Sequence, residues 1–378
     1  MTGCSCLFSQ LLHRLPYNVF DKIVTEFHGD RYAKGFTCRV HLLVLLYLHL
    51  RQVRGLGAAC ALLAQHPETF AALGLPAAPA RSTVAYANDH RPAAIYARFF
   101  QALAGHVQQA ARRGKRRYPL KRRVCTVDAT LIDLCAALFP WAAYSPTQRA
   151  VKVHLMLDHQ GNVPVFAVLT VGKVADITQG RALPFARGSL VVFDRGYTDY
   201  TLFGDLTAQG VFFLTRMKRN LEYTVLQTRP VPPGSTVLKD EIIQLSSAYA
   251  GPRCATRLRR ITVRDTTGAT VVLLTNLLTV RAATLAAVYR RRWDIEVFFR
   301  YLKQYLRVTT FVGRSPNAVA IQLWTALIAW LLLVLLKIES TAGWGFGRLC
   351  LLLGDRLLTP GDLSAWLHPP GGPAPPAP

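Results

Sequence analysis

Apolar and polar positions follow two periods in turn along this chain. Up to about residue 105 the apolar positions group as in helices. HLLVLLYLHLRQV (41–53) is a nearly unbroken apolar run and predicts a long, buried helix. RSTVAYANDHR (81–91) predicts a short helix with Ser82 or Thr83 as its N-cap. From residue 123 the pattern changes. RVCTVDATLI (123–132) is a β-branched run, and VKVHLMLD (151–158) and VPVFAVLTV (163–171) alternate around the turn sequence DHQGN. SLVVFDRGY (189–197) and VFFLTR (211–216) read as short strands, and helices are expected near 179–186 and 199–208. Strands followed by helices after an antiparallel start indicate an α/β fold.

Residues 220–278 break this rhythm. They read as β-rich throughout, with ITVRDTTGATVVLLTNLL forming a hairpin that turns at TTG. One long helix is expected over about 282–306, and an apolar helix over 317–337. The stretch from Ser315 to Leu336 carries no charge and is long enough for a bilayer. Asn317, Gln322 and Thr325 in its first half, with no second such span, favour a buried core helix over a membrane one. The tail, HPPGGPAPPAP, is rich in Pro and Gly and is expected to be disordered. The organisation expected is therefore a helical N-terminal part (1–105), a basic linker (106–122), a core in two pieces (123–219 and 279–340), a β-rich insertion (220–278) and a C-terminal segment (341–378).

Charge narrows the function. Lys and Arg number 45 against 21 Asp and Glu, a formal net charge of +24 on a chain of 378 residues. Such an excess on a folded chain points to a polyanion, nucleic acid before an anionic membrane. RRGKRRYPLKRR (112–123) concentrates eight of these bases, as a solvated linker or as a phosphate-tracking segment. The N-terminal helices fit a DNA-reading bundle or a packing module equally well. The eight cysteines include no CxxC pair, so zinc-site spacing is excluded and reduced, cytosolic thiols are expected. No secretory signal is evident at the N-terminus.

Two acids close apolar strands: Asp128 ends VCTVD and Asp194 ends LVVFD. Strand ends are where α/β sheets gather ligand-binding groups. A third acid, Glu296, lies in YRRRWDIEVFFRYLK (289–303) among five bases. On one continuous helix Tyr289, Arg292, Glu296 and Lys303 fall within an arc of about 60°, beside an apolar stripe of Ile295, Phe299, Leu302 and Leu306. Phosphodiester cleavage by two metal ions needs carboxylates to hold the ions and cations to hold the phosphate. Three acids ringed by bases supply both.

These motifs resemble the DDE transposases of bacterial insertion sequences, in the group that carries a Y-(2)-R-(3)-E-(6)-K signature. That signature is complete in Tyr289, Arg292, Glu296 and Lys303. The second-acid motif is similar to Asp194-Arg195-Gly196-Tyr197, and the first to VDATLID around Asp128. The resemblance implies a ribonuclease H-like core interrupted by a β-rich insertion, which suits the hundred or so residues between Asp194 and Glu296. It implies that Asp128, Asp194 and Glu296 are catalytic and bind two Mg²⁺ ions, for which Mn²⁺ can substitute. Tyr289, Arg292, Lys303, Arg195, Arg122 and Arg123 would contact DNA. The partners implied are double-stranded DNA, as terminal inverted repeats and as target, and a second copy on paired ends; the location is the bacterial cytoplasm, at the nucleoid. A transposon-derived DNA-binding protein that no longer cuts is the alternative. Some relatives hold a flipped base on a Trp of the insertion, and residues 220–278 contain none, which puts a hairpin route in doubt.

Several residues are left with a structural reading beside the functional one. Lys152 and His154 share a strand face and could point at the site. Asp176 could support it from a loop, whereas Asp133 is expected to be structural. Trp293 is expected to pack rather than stack on DNA. Arg257, Arg259, Arg260 and Arg264 either track a DNA backbone or form a solvated β face.

Overall fold

The computed structural model describes residues 6–72, 77–114, 118–145, 148–174, 183–306 and 308–369. The N-terminal part is helical: α1 (Leu7–Leu12), α2 (Tyr17–Glu26), α3 (Cys38–Leu50), α4 (Leu56–Ala64), α5 (Pro67–Ala72), α6 (Arg81–His90) and α7 (Ala93–Arg112). Then come β1 (Val124–Leu134), β2 (Arg149–Asp158), β3 (Val163–Val171), β4 (Leu190–Val192), α8 (Tyr200–Ala208) and β5 (Phe212–Arg216). The β-rich stretch supplies β6 (Tyr223–Thr228), β7 (Val237–Leu245), α9 (Ala250–Arg253), β8 (Leu258–Arg264) and β9 (Thr270–Thr275). The chain ends with α10 (Ala282–Arg290), α11 (Trp293–Gln304), α12 (Pro316–Glu339), α13 (Phe346–Arg356) and α14 (Leu363–Leu367).

All the strands join one nine-stranded sheet in the order β3-β2-β1-β4-β5-β9-β8-β7-β6. β1, β2 and β3 form an antiparallel meander, and β4 and β5 run parallel to β1. This half of the sheet has the ribonuclease H-like arrangement that the resemblance implied. The β2–β3 turn needs two successive left-handed residues, Gly161 (φ 81°) and Asn162 (φ 55°), which suits the twist of a tight hairpin. Gly161 is doubly constrained, because a Cβ there would lie 2.9 Å from the Cβ of Ala111.

The β-rich stretch is not a separate lobe. β9 pairs antiparallel with β5, so the insertion extends the core sheet edge. Its TTG turn is held by Asp265, whose Oδ1 accepts the N–H groups of Thr267 and Ala269, each at 2.9 Å. Inside the insertion Arg259 is 2% exposed and donates to both carboxylate oxygens of Asp240, at 2.7 and 2.6 Å. It also reaches the carbonyls of Leu278 and Val280, which lead into α10. Arg260 pairs with Glu241 and is partly buried. These two are therefore structural cations, not a free phosphate track, whereas Arg257 and Arg264 are exposed.

One apolar cluster runs through α1–α4, α6 and α7, one face of β1–β3, and α11–α14. α12 is its axis; 94% of its most apolar window is buried inside the fold. The apolar run at 317–337 is thus a core helix, as its polar residues suggested: Thr325 accepts or donates to Nε2 of buried His49 at 3.1 Å, and Asn317 caps carbonyls of Asn88 and Arg91.

Four local expectations are corrected. The 81–91 helix starts two to three residues earlier, with Ala80 as N-cap and Ser82 and Thr83 inside the first turn. α7 continues to Arg112, so the first third of the expected linker (106–112) is helical; a basic run on an exposed face does not stop a helix. Residues 183–186 are not helical, and 179–182 lie outside the described residues, as do Asp176 and the end of the Pro-rich tail. The long helix expected over 282–306 is two helices. Between α10 and α11 the backbone tightens to i→i+3 bonds, with Arg291 N–H donating to Val288 O and Arg292 N–H to Tyr289 O.

Candidate active site

β1 supplies the first acid. Alternation places Thr126, Asp128, Thr130 and Ile132 on one face, with Val153 and Leu155 of β2 beside them. That face carries the main cluster, and α11 packs against β1 there. Lys152 and His154 pair with Leu131 and Ala129, so they lie on the opposite face from Asp128. Lys152 donates to Val174 O at 2.9 Å, and His154 bonds the Thr170 hydroxyl at 3.0 Å. Asp133 is exposed near the far end of β1.

The second acid follows β4. Thr126 and Val192 are the last paired residues of β1 and β4, and Asp194 follows two residues beyond β4, near enough for its charge to act on Asp128. The DRGY sequence then turns sharply. Asp194 Oδ1 accepts the N–H of Tyr197 at 3.3 Å, and its carbonyl accepts the Thr215 hydroxyl at 3.0 Å. Tyr197 is buried and stacks on Phe193 at 5.5 Å, which anchors the turn. Gly196 leaves the carboxylate room, since a Cβ there would lie 3.1 Å from Asp194 Oδ1. Arg195 points outward and is exposed.

Glu296 sits in the first turn of α11, with Arg292 one turn before it. Arg292 Nη2 donates to Glu296 Oε1 at 2.6 Å, and Arg292 Nη1 lies 3.8 Å from Asp128 Oδ2. The guanidinium therefore bridges the strand acid and the helix acid from a position that is itself only 9% exposed. A cavity of about 400 Å³ opens here, lined by Asp128, Glu296, Phe299, Arg300, Lys303 and Gln304, among others. Tyr289 is half-buried, and burial raises its hydroxyl pKa above the usual value; Arg292, Arg216 and Asp194 all lie within electrostatic reach of it.

The charge balance is strained at Asp128. Burial pushes its carboxyl up to about 7, and the negative charges of Asp194 and Glu296 push the same way. The N–H of Ala129, at 2.8 Å from Oδ1, and the cation of Arg292 oppose them. Among the described residues no three His, Cys, Asp or Glu side chains stand close enough together to share one metal ion. Arg292 lies between two of the acids, Asp128 and Glu296. The donor set is all carboxylate oxygen, which suits hard divalent cations.

The structure does not bring every candidate here. Asp128, Glu296 and Lys303 line one cavity, Arg292 bridges the two acids beside it, and the charge of Asp194 reaches both Asp128 and Tyr289. Arg122 and Arg123 lie at the other end of β1. Five residues of strand separate Arg123 from Asp128, about 17 Å. Arg123 pairs with Asp158 at 3.2 Å, and Arg122 covers the ring of Phe212 at 4.2 Å. Trp293 does not pack, contrary to expectation: it is 62% exposed, with the Arg292 guanidinium 5.3 Å from its ring centroid. The helix break at 291–292 turns it out of the core. Arg300 and Gln304 line the cavity and were not singled out in the sequence; Glu296 + 4 and + 8 on one helix face is the signal that marks them.

A ribonuclease H-like sheet that sets carboxylates beside cations in an open cleft defines a class of proteins, those built to handle the phosphodiester backbone of nucleic acids. Within that class the chain belongs to the DDE transposases: residues 119–332 match the family described as "Transposase DDE domain". Residues 3–75 match a second family, "Domain of unknown function (DUF4372)". The chain is 34% identical over 262 residues to "Putative transposase y4zB" of Sinorhizobium fredii, covering 68% of this chain and 72% of that protein. It is 33% identical over 254 residues to "Probable transposase for insertion sequence element IS5377" of Geobacillus stearothermophilus, covering 67% of this chain and 66% of that protein. A solved structure of the piggyBac transposase synaptic complex with hairpin DNA overlays with a TM-score of 0.46 at 12% identity, covering 97% of this chain and 86% of that chain, a likeness that adds nothing to the assignment. Membership of the DDE family implies a nuclease or transferase that uses divalent metal ions and binds DNA.

Proposed function

We propose that this transposase binds the ends of its own insertion sequence, cuts there with two Mg²⁺ ions, and joins the freed 3′-hydroxyl ends to target DNA. The observation that carries this reading is the Arg292 bridge between Asp128 and Glu296, the two acids that line the cavity. Asp128, Asp194 and Glu296 are the residues that would hold the ions, and Mn²⁺ could replace Mg²⁺ on the same oxygens. The chemistry supplied by such ions is Lewis-acid stabilisation and a lowered pKa for the attacking oxygen. Cutting breaks a phosphorus–oxygen bond by water attack and leaves a 3′-hydroxyl; joining is attack of that hydroxyl on a target phosphate, with a second such bond broken. Lys303 lines the cavity from α11 and Arg292 stands just before that helix against both acids; the two would hold the phosphate's non-bridging oxygens. Tyr289 and Arg195, on either side of Asp194, would contact the backbone near the cut. The working form on paired ends would be a dimer, at the nucleoid in the cytoplasm.

The test is nicking of a duplex that carries the element's end, with Mg²⁺, by the unaltered protein and by Glu296→Gln. The reading requires metal-dependent nicking that the variant loses while it still binds the end. Equal nicking by both proteins removes Glu296 from the site. Binding without nicking by either would favour a DNA-binding descendant that no longer cuts.

A further inference from the structure

The gap between Asp128 and Glu296 already holds a cation, and that cation belongs to the chain. Arg292 Nη2 donates to Glu296 Oε1 at 2.6 Å, and Nη1 stands 3.8 Å from Asp128 Oδ2. Of the three side chains the arginine's is the least exposed. Arg300 and Lys303 line the adjoining cavity, yet among the described residues neither pairs with an acid. Arg292 is therefore the cation in direct contact with both acids, and the others are bystanders.

A carboxylate oxygen that accepts a guanidinium N–H at 2.6 Å is turned toward that nitrogen. A small divalent ion needs the same oxygen for itself, at about 2.1 Å. With Arg292 in place, no three His, Cys, Asp or Glu side chains among the described residues are grouped to hold one metal ion. The arginine also has a second partner. It is the N-cap of α11, at the break after α10, and so does not project from the middle of a helix. The exposed ring of Trp293 has its centroid 5.3 Å from the guanidinium carbon, within the range of a cation–π attraction. A guanidinium that leaves the acids does not leave every partner.

Resting on the function proposed above, we infer that Arg292 and a divalent metal ion are alternative occupants of the gap between Asp128 and Glu296. Without DNA the arginine holds the two acids together and keeps their affinity for metal low. Phosphate oxygens draw it off, because a guanidinium pairs with phosphate in the same forked manner as with carboxylate. The site thus takes up metal strongly only once DNA has arrived. The coupling is reciprocal: metal in the gap releases Arg292 for phosphate and strengthens DNA binding by the same factor.

The test is Mn²⁺ binding to the full chain at pH 8 without DNA, read by calorimetry and by loss of the free ion's paramagnetic resonance signal. Arg292→Gln should bind Mn²⁺ at least about tenfold more tightly than the unaltered protein. Arg300→Ala removes an equal charge from the same cavity without vacating the gap, and should change the affinity by less than about threefold. Asp128→Asn added to Arg292→Gln should abolish the tight binding. If Arg292→Gln folds poorly in chelator, Mn²⁺ should restore its Tm to that of the unaltered protein. A variant that stays unfolded in saturating Mn²⁺ overturns the inference, since the arginine would then not be exchangeable with an ion. Equal affinity with and without Arg292 overturns it, and so does an equal rise in Arg300→Ala, which would make the effect one of net charge. A second arm uses Asp194→Asn, which the proposed function expects not to cut. There the element's end duplex should tighten Mn²⁺ binding more with Arg292 present than in Arg292→Gln, and an equal gain overturns the role given to phosphate. Mn²⁺ binding that Asp128→Asn leaves unchanged in every form would remove the metal site of the proposed function itself. Binding that needs Asp128 but ignores Arg292 would remove this inference alone.

Discussion

Replacing Asp128 by Asn should stabilise this protein at neutral pH while abolishing its chemistry. The folded carboxyl is pushed up to about 7 by burial, with Asp194 and Glu296 adding to the shift, from an ordinary value of 3.8. A carboxyl whose folded pKa is raised favours the folded state only while protonated. The associated stability is complete below the unfolded value and is lost as pH rises through the folded one. The span of about three units, at 1.36 kcal/mol each, comes to about 4 kcal/mol lost between acid and pH 8. Asn keeps the shape and the acceptor for the Ala129 N–H, and it carries no charge to desolvate. For 378 residues the unfolding entropy near 60 °C is about 0.8 kcal/mol/K, so 4 kcal/mol corresponds to about 5 °C in Tm.

The assay is thermal unfolding in chelator at pH 8, pH 5 and near pH 4, for the unaltered protein and Asp128→Asn. The gain should be about 5 °C at pH 8, roughly 2 °C at pH 5, and close to zero near pH 4. Adding Mg²⁺ at pH 8 should raise the unaltered protein's Tm and leave the variant's nearly still, since binding to the native state alone stabilises it. A gain that does not change with pH, or a loss at pH 8, would refute the claim that Asp128 is a desolvated acid crowded by its neighbours.

Further expectations follow from the same geometry. Arg292→Lys cannot bridge Glu296 and Asp128 together, so it should cut nicking at least tenfold while end binding, read by gel shift, changes little. Asp240→Asn breaks the buried pair with Arg259 and should cost about 3–5 kcal/mol in urea unfolding; the double change Asp240→Leu with Arg259→Met should recover most of it. Gly204→Ala would place a Cβ 2.3 Å from the carbonyl oxygen of Arg253, between α8 and α9, and should lower stability by about 1–3 kcal/mol in the same measurement.

Local chemistry made much of this fold readable. Alternation over 151–171 and the Gly161-Asn162 turn defined a hairpin without help from the rest of the chain. The DRGY sequence carries its own instructions: a capping Asp194, a Gly196 with room for the carboxylate, and an aromatic anchor in Tyr197. The charge-free run at 315–336 was ambiguous only between two apolar surroundings, and its Asn317 and Thr325 resolve that because each has a partner within the protein. What stayed hidden depends on contacts between distant segments. Nothing between 220 and 278 announces that β9 will pair with β5, because an edge strand has the same composition whichever sheet it joins. The turn between α10 and α11 has no Pro or Gly to mark it, so one helix was expected where there are two, and Trp293 was expected to pack because a large aromatic usually does. Arg122 and Arg123 seemed close to Asp128 because they are close in sequence, yet an extended strand converts five residues into about 17 Å.

The placement of Arg292 explains how three acids tolerate one another in a folded chain. Asp128 is fixed in β1, and Asp194, just beyond the neighbouring parallel strand β4, is held by its bonds to Tyr197 and Thr215, so neither moves freely away from the other. Glu296 arrives on a helix and could swing away, but Arg292, one turn earlier, pairs with it and leans toward Asp128. The arginine thus offsets the repulsion that would otherwise oppose docking α11 onto β1. On the function proposed above, the same guanidinium would also meet phosphate oxygens beside the cavity. A single residue four positions before the helix acid can therefore hold the site together in folding and turn to the substrate in catalysis. That double demand requires a planar, permanently charged group with several donors, which is why lysine would serve the first purpose in part and fail the second.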